Sequence, residues 1–211
     1  MYFDQYQTDS SAASIFVKLA LVKDKMTKEF MWGYPLIGIA GEASEVIELL
    51  QKIDEAGKTT PEIKELLENE AGDMLWNISA YADARGFSLG EIASLGVDKS
   101  LADPTVHEFQ TYVIRKSDLE DHGFQLMKAA AELFDHTRIG AIMEESKRIL
   151  RDDKLETNPE RDQRIKTAIA NVLVSITMIC SAMGISLDEV MENNIEKCAP
   201  LHESTVKDDL G

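Results

Sequence analysis

Gly38-Ile-Ala-Gly-Glu-Ala-Ser-Glu-Val-Ile-Glu-Leu-Leu-Gln-Lys52 and Glu68-Asn-Glu-Ala-Gly-Asp-Met-Leu-Trp-Asn-Ile-Ser-Ala-Tyr-Ala-Asp-Ala-Arg-Gly-Phe-Ser-Leu-Gly-Glu-Ile92 decide the fold. Each stretch holds a pair of acids three residues apart, Glu42 with Glu45 and Glu70 with Asp73. That spacing puts both carboxylates on one face of a helix. Two such helices side by side bring four carboxylates to one place. A cluster of that kind does not stay ionised without cations, and oxygen ligands suit Mg²⁺.

Working outward, Ile39, Ala43, Val46, Ile47, Leu50 and Ile53 recur at helical spacing and predict a helix over 36–56, ended by Gly57. Thr60-Pro61 opens the next, over 61–85, with Ile63, Leu67, Ala71, Met74, Ile78 and Tyr81 as its buried stripe and Gly86 as its stop. Both acidic pairs flank these stripes, and Asn77 lies one turn further along the same edge. Ser88 with Glu91 reads as a capping box that opens a fourth helix. Upstream, a first helix is expected over 3–28, capped within by Ser10 or Ser11, and Trp32-Gly-Tyr-Pro35 reads as a turn.

Acid pairs at this spacing are common in a chain with 38 acidic residues, and Glu62/Glu65, Glu65/Glu68, Asp118/Asp121, Glu132/Asp135 and Glu189/Glu192 read as solvated faces. The two central pairs differ because they border apolar stripes on consecutive helices. Small residues (Ala43, Ser44, Ala71, Gly72) also separate their members and permit close helix approach.

After Asp103-Pro104 the chain starts again. Phe109-Gln-Thr-Tyr112 echoes Phe3-Asp-Gln-Tyr6, Gly140-Ala-Ile-Met-Glu144 echoes Gly38-Ile-Ala-Gly-Glu42, and Gly184-Ile-Ser-Leu echoes Gly86-Phe-Ser-Leu. The ordered set is the mark of a diverged tandem duplication, with repeats at 1–105 and 106–211. Read in that register, Glu42 becomes Glu144, Glu45 becomes Lys147, Glu70 becomes Ala168 and Asp73 becomes Asn171, so the second copy does not hold the cluster. It carries Asn194-Ile-Glu-Lys197 where the first has Gly96-Val-Asp-Lys99. Its run from Ile165 to Met183 is apolar nearly all round, and interrupting polar residues favour a buried helix over a membrane span.

Gly38-x-x-x-Glu42-Ala-x-Glu45-Val, Glu70-x-Gly-Asp73-x-Leu-Trp76, Gly86-x-Ser-Leu and the opening Phe3-Asp-Gln-Tyr6-Gln7 together resemble the MazG-like all-α nucleotide pyrophosphohydrolases, relatives of the dimeric dUTPases and dCTPases. The likeness covers residues 3–101 well and 108–198 only as a degenerate copy. It implies an all-α helical bundle of two fused four-helix repeats, a pseudo-dimer. It also implies cleavage of a (d)NTP to a monophosphate and pyrophosphate in nucleotide-pool control, with Glu42, Glu45, Glu70 and Asp73 as catalytic ligands of Mg²⁺ (or Mn²⁺ in its place). Gly96 departs from the family's usual Asn at that place. Trp32, Trp76 and Tyr81 are candidates to stack on a base. Asn77, Lys52, Lys99, Asn194 and Lys197 are candidates to reach the substrate, against the plainer readings of core packing and surface charge. A dUTPase or dCTPase in the narrow sense is the alternative enzyme. A non-catalytic helical binding or assembly protein with an acidic pocket is the alternative outside enzymes.

The 211-residue chain is 44% hydrophobic and 28% charged, with a net charge of −16. That charge disfavours nucleic acid or an anionic membrane as partner and suits cations. A nucleoside triphosphate would need metal ions to enter. A homodimer is compatible with this reading. Two cysteines, Cys180 and Cys198, lie on different elements, and the first residues lack the pattern of a signal peptide, so the expected compartment is the cytoplasm.

Overall fold

A computed structural model describes residues 1–13, 27–97, 103–117, 129, 131–153, 156 and 158–209, without the side chains of Lys28 and residues 200–209. The fold is all-α, and among the described residues no strand is longer than a single bridge. Among the described residues eight helices follow in order: α1 Phe3–Ala13, α2 Lys28–Ala56, α3 Pro61–Arg85, α4 Leu89–Gly96, α5 Val106–Ser117, α6 Ile139–Arg151, α7 Pro159–Ala182 and α8 Leu187–Asp209.

Local signals set most of the ends. Thr60 accepts from the Ile63 amide, Pro61 opens α3, and Gly57 and Gly86 end α2 and α3 in the left-handed region. Ser88 accepts from the Glu91 amide as expected. The Glu91 carboxylate does not complete the box, however, because it binds Lys166.

The helix expected over 3–28 is described as far as Ala13; residues 14–26 lie outside the described residues, and Thr27 already caps the next helix. Two other expectations near the start fail. Ser10 is no cap but a buried residue inside α1, 2.7 Å from Ser79 Oγ. The turn at 32–35 is also overturned. Thr27 caps a helix that runs unbroken from Lys28, with Pro35 inside it. Proline in a helix interior costs about 3 kcal/mol. Tertiary packing outweighs that here: Pro35 is buried, and the Trp32 indole N–H is fixed on Ala84 O at 3.0 Å.

The helices form one continuous core. α2 pairs with α3, and α6 pairs with α7. Two helices cross over: the short α4 packs on α7, and α8 packs on α3. Arg85 ties three elements together. Its guanidinium pairs with Asp162 on α7 and lies 4.2 Å over the Trp32 ring of α2. α7 is long and apolar enough to cross a membrane by length and composition alone, yet 61% of its most apolar window is buried against the other helices. This fits the expected central packing element.

Paired details recur along the chain. Gln7 donates to Phe87 O and accepts from the Leu89 amide; Gln110 donates to Ile185 O and accepts from the Leu187 amide. Gly86 and Gly184 both have positive φ, 68° and 64°. Tyr2 bridges Thr105, and the Phe3 and Phe109 rings meet edge to face at 5.1 Å. The glutamine contacts make Gln110 the counterpart of Gln7. Tyr6 therefore answers to Phe109, three residues before the Tyr112 that the sequence echo selects. Burial alternation along α2 and α6 likewise sets Ile39, Ala43 and Val46 against Ile142, Ser146 and Ile149. At the spacing set by Gln7 and Gln110, Glu42 falls on Glu145 rather than Glu144, and Glu45 on Arg148 rather than Lys147.

Candidate functional site

Glu42 and Glu45 on α2 and Glu70 on α3 converge, with one carboxylate oxygen from each within 4.8 Å of the others. α2 and α3 approach closely because Ala43, Ala71 and Gly72 are the buried residues between the acids. Glu42 and Glu70 are half-buried and Glu45 exposed, so the group opens to solvent on one side. Burial pushes the Glu42 carboxyl up to about 7, helped by the charges of Asp73, Glu45 and Glu70. Burial likewise raises the Glu70 pKa, with Glu45 and Asp73 adding to it. The Glu42 and Glu70 carboxyls hydrogen-bond to each other. Such an arrangement binds either protons or a hard cation, and the three glutamates can hold a metal ion.

Asp73 stands beside this triad with partners of its own. Its two oxygens accept from Asn194 Nδ2 at 2.8 Å and Lys197 Nζ at 2.6 Å, both from α8. Asn194 is 4% exposed, and its Oδ1 accepts from the Tyr6 hydroxyl at 3.4 Å. Gly72 makes this reach possible: a Cβ there would sit 3.1 Å from the Asn194 side chain. Burial works against the Lys197 ammonium, but its hydrogen bond to Asp73 and the charge of that carboxylate outweigh the penalty and raise its pKa.

One turn further along α3, Asn77 donates to the Asp73 carbonyl and rests on Gly38, where a Cβ would fall 2.3 Å from Asn77 Oδ1. Asn77 and the half-buried Trp76 begin a narrow cleft that runs toward Asp83. Its opposite wall is the first part of α2, with Phe30, Tyr34 and Pro35. The Phe30 and Tyr34 rings stack at 5.6 Å. These two aromatics escape a sequence reading that breaks the helix at Gly33 and Pro35, although their i,i+4 spacing was the available signal.

The structure thus gathers Glu42, Glu45, Glu70, Asp73, Asn77, Trp76, Asn194 and Lys197 along one seam. It removes others from the candidate list. Tyr81 is fully buried, with its hydroxyl 2.6 Å from Ser146 Oγ, and cannot stack on a ligand. Trp32 carries Arg85 over its ring and serves the core. Lys52 is exposed and paired with Glu48 at 2.7 Å, a helix-surface pair. Lys99 lies outside the described residues.

On α6 and α7 the remaining acid is met by cations of the chain itself. Glu145 is 8% exposed and accepts from Arg161 at 3.1 Å and Arg164 at 3.0 Å, with Arg148 at 3.9 Å. Ala168 and Asn171 stand where Glu70 and Asp73 stand on α3.

Comparison of the chain with models of protein families, with curated proteins and with solved structures finds no match in any of the three.

Proposed function

We propose that the protein is a divalent-cation-dependent nucleoside triphosphate pyrophosphohydrolase of MazG-like architecture, with one site per chain assembled from both of its halves. The observation that carries this reading is the convergence of Glu42, Glu45 and Glu70 beside Asp73, with Lys197 and Asn194 delivered by α8 and an aromatic cleft one helical turn away. A metal-binding group, a cationic side chain and a flat apolar slot are what a polyphosphate joined to a base requires.

Glu42, Glu45 and Glu70 would hold Mg²⁺, with Mn²⁺ a chemical substitute. The cation supplies charge neutralisation on the anhydride and acidifies water near neutral pH. Water adds to the α-phosphorus, the α–β bridging oxygen leaves with pyrophosphate, and one proton is released. Glu45, the most exposed of the acids, is placed to accept that proton. The Lys197 ammonium turns from Asp73 to phosphate oxygens when substrate enters, and Asn77 and Trp76 hold the nucleoside end.

The matched roles of Gln7 and Gln110, and of Gly86 and Gly184, support an ancestral duplication in which the halves face each other about the Tyr2–Thr105 bridge. In the second half Glu145 is neutralised by arginines, so that half serves structure and lends α8 to the site. The test is a panel of eight (d)NTPs with Mg²⁺, products followed by phosphorus NMR. Monophosphate with pyrophosphate is expected. Orthophosphate as first product, or no turnover of any triphosphate, would overturn the reading.

A further inference from the structure

The far end of the cleft has a chemistry of its own. Asp83 closes it, and one of its oxygens accepts the Ser11 hydroxyl at 2.7 Å. Among the described residues no cation pairs with Asp83. The hydroxyl proton of Ser11 is given to Asp83, which leaves the second Asp83 oxygen and Ser11 Oγ as acceptors at this end. At the near end Asn77 uses one amide N–H on the Asp73 carbonyl and keeps the other. The remaining wall is aromatic, from Phe30, Tyr34 and Trp76.

We infer that this cleft selects an amino-substituted nucleobase (cytosine, adenine or guanine) over uracil and thymine, with Asp83 as the specificity-determining residue. The inference rests on the hydrolase reading for its nucleotide and deepens it. An exocyclic amino group brings two N–H donors to an acceptor-lined end. Uracil and thymine bring a carbonyl to the same place and would set it against a carboxylate. Asp83 is exposed, so the discrimination is that of a charge-assisted hydrogen bond gained with an amino group against carbonyl–carboxylate repulsion. Distance along the helix agrees: Asp83 is ten residues beyond Asp73, roughly 15 Å at 1.5 Å per residue. That is the reach from a phosphate chain to the far edge of a base.

Uncharged nucleosides test the base site without the metal or the phosphates. Titration calorimetry with deoxycytidine, deoxyadenosine, deoxyguanosine, deoxyuridine and thymidine, in chelator, should give amino-bearing nucleosides at least about tenfold tighter binding. Asp83→Asn can present an amide donor or acceptor and should reduce the preference to about threefold or less; Ser11→Ala should leave its direction intact. Far-UV circular dichroism checks that both variants stay helical. Equal affinities, a preference for deoxyuridine, or no binding by any nucleoside overturns the inference. Selective nucleoside binding without Mg²⁺-dependent hydrolysis would keep the base site and remove the hydrolase. Base-indifferent hydrolysis would do the reverse.

Discussion

Glu42 is the side chain whose state decides whether the cluster holds a proton or a cation. Its carboxyl is held at about 7 by burial and neighbouring acids. A proton therefore competes with the metal below that pH. Cation affinity should fall as pH drops through about 7 and level off above it, with proton release visible by calorimetry in two buffers of different ionisation enthalpy. The same shift fixes a stability trend. A carboxyl whose pKa is raised on folding contributes stability fully present below its unfolded value, 4.5, and lost as pH rises through about 7. Cation-free protein should then melt at a higher temperature at pH 6 than at pH 8, and saturating Mg²⁺ should flatten the difference. A chelated sample that melts higher at pH 8 would contradict it. Replacing Glu42, Glu45 or Glu70 by Gln, or Asp73 by Asn, should each lower turnover by about 10² or more while the chain stays helical. Full activity in two of the four would remove the assignment. Lys197→Met should raise KM for the triphosphate with little change in melting temperature, since its pair with Asp73 is partly exposed and such pairs contribute about 1 kcal/mol or less.

At the scale of the helix, the ends of α2 and α3 were legible in Gly57, Thr60-Pro61 and Gly86 because backbone conformation at a cap is a local matter. The stretch 32–35 was not, because the cost of Pro35 is local while the contacts that offset it lie on α3 and α7. The two acidic pairs could be read from spacing against the apolar stripe. The tie from Asp73 to Asn194 and Lys197 could not, because it spans 121 and 124 residues and depends on which helix α8 crosses. The echo at 109–112 misled for a related reason: Phe-x-x-Tyr repeats nearly one helical turn from the residues that play matching roles. Arg85 offers a test of the knot between α2, α3 and α7. Its side chain is 2% exposed, and removing one member of a buried pair leaves the other charge uncompensated. Arg85→Ala should cost about 3 kcal/mol in urea denaturation. A loss below 1 kcal/mol would mean that Asp162 finds water instead.

For the whole molecule, α4 packs on α7 and α8 packs on α3, so residues 1–105 and 106–211 bury part of each other's apolar surface. Residues 1–105 expressed alone should expose Leu89, Ile92 and Ala93 of α4 and should aggregate or pair with themselves. A soluble, monomeric and fully active fragment would end the idea that the halves complete each other. The all-α class and the place of α7 at the centre followed from periodicity alone. The loss of acids from the second half was also visible there, but not what replaced them, since Arg161 and Arg164 meet Glu145 only once α6 and α7 pack.

The arginines around Glu145 give the molecule a lopsided response to its surroundings. If α2 and α3 take an ion from solution as proposed, α6 and α7 differ from them in carrying their countercharge within the chain. Withdrawal of divalent cations is then a perturbation that, among the described residues, the α2–α3 end should sense and the α6–α7 end should not. Amide hydrogen exchange should report it: chelation should quicken deuterium uptake along 38–77 while leaving 139–151 at its former rate.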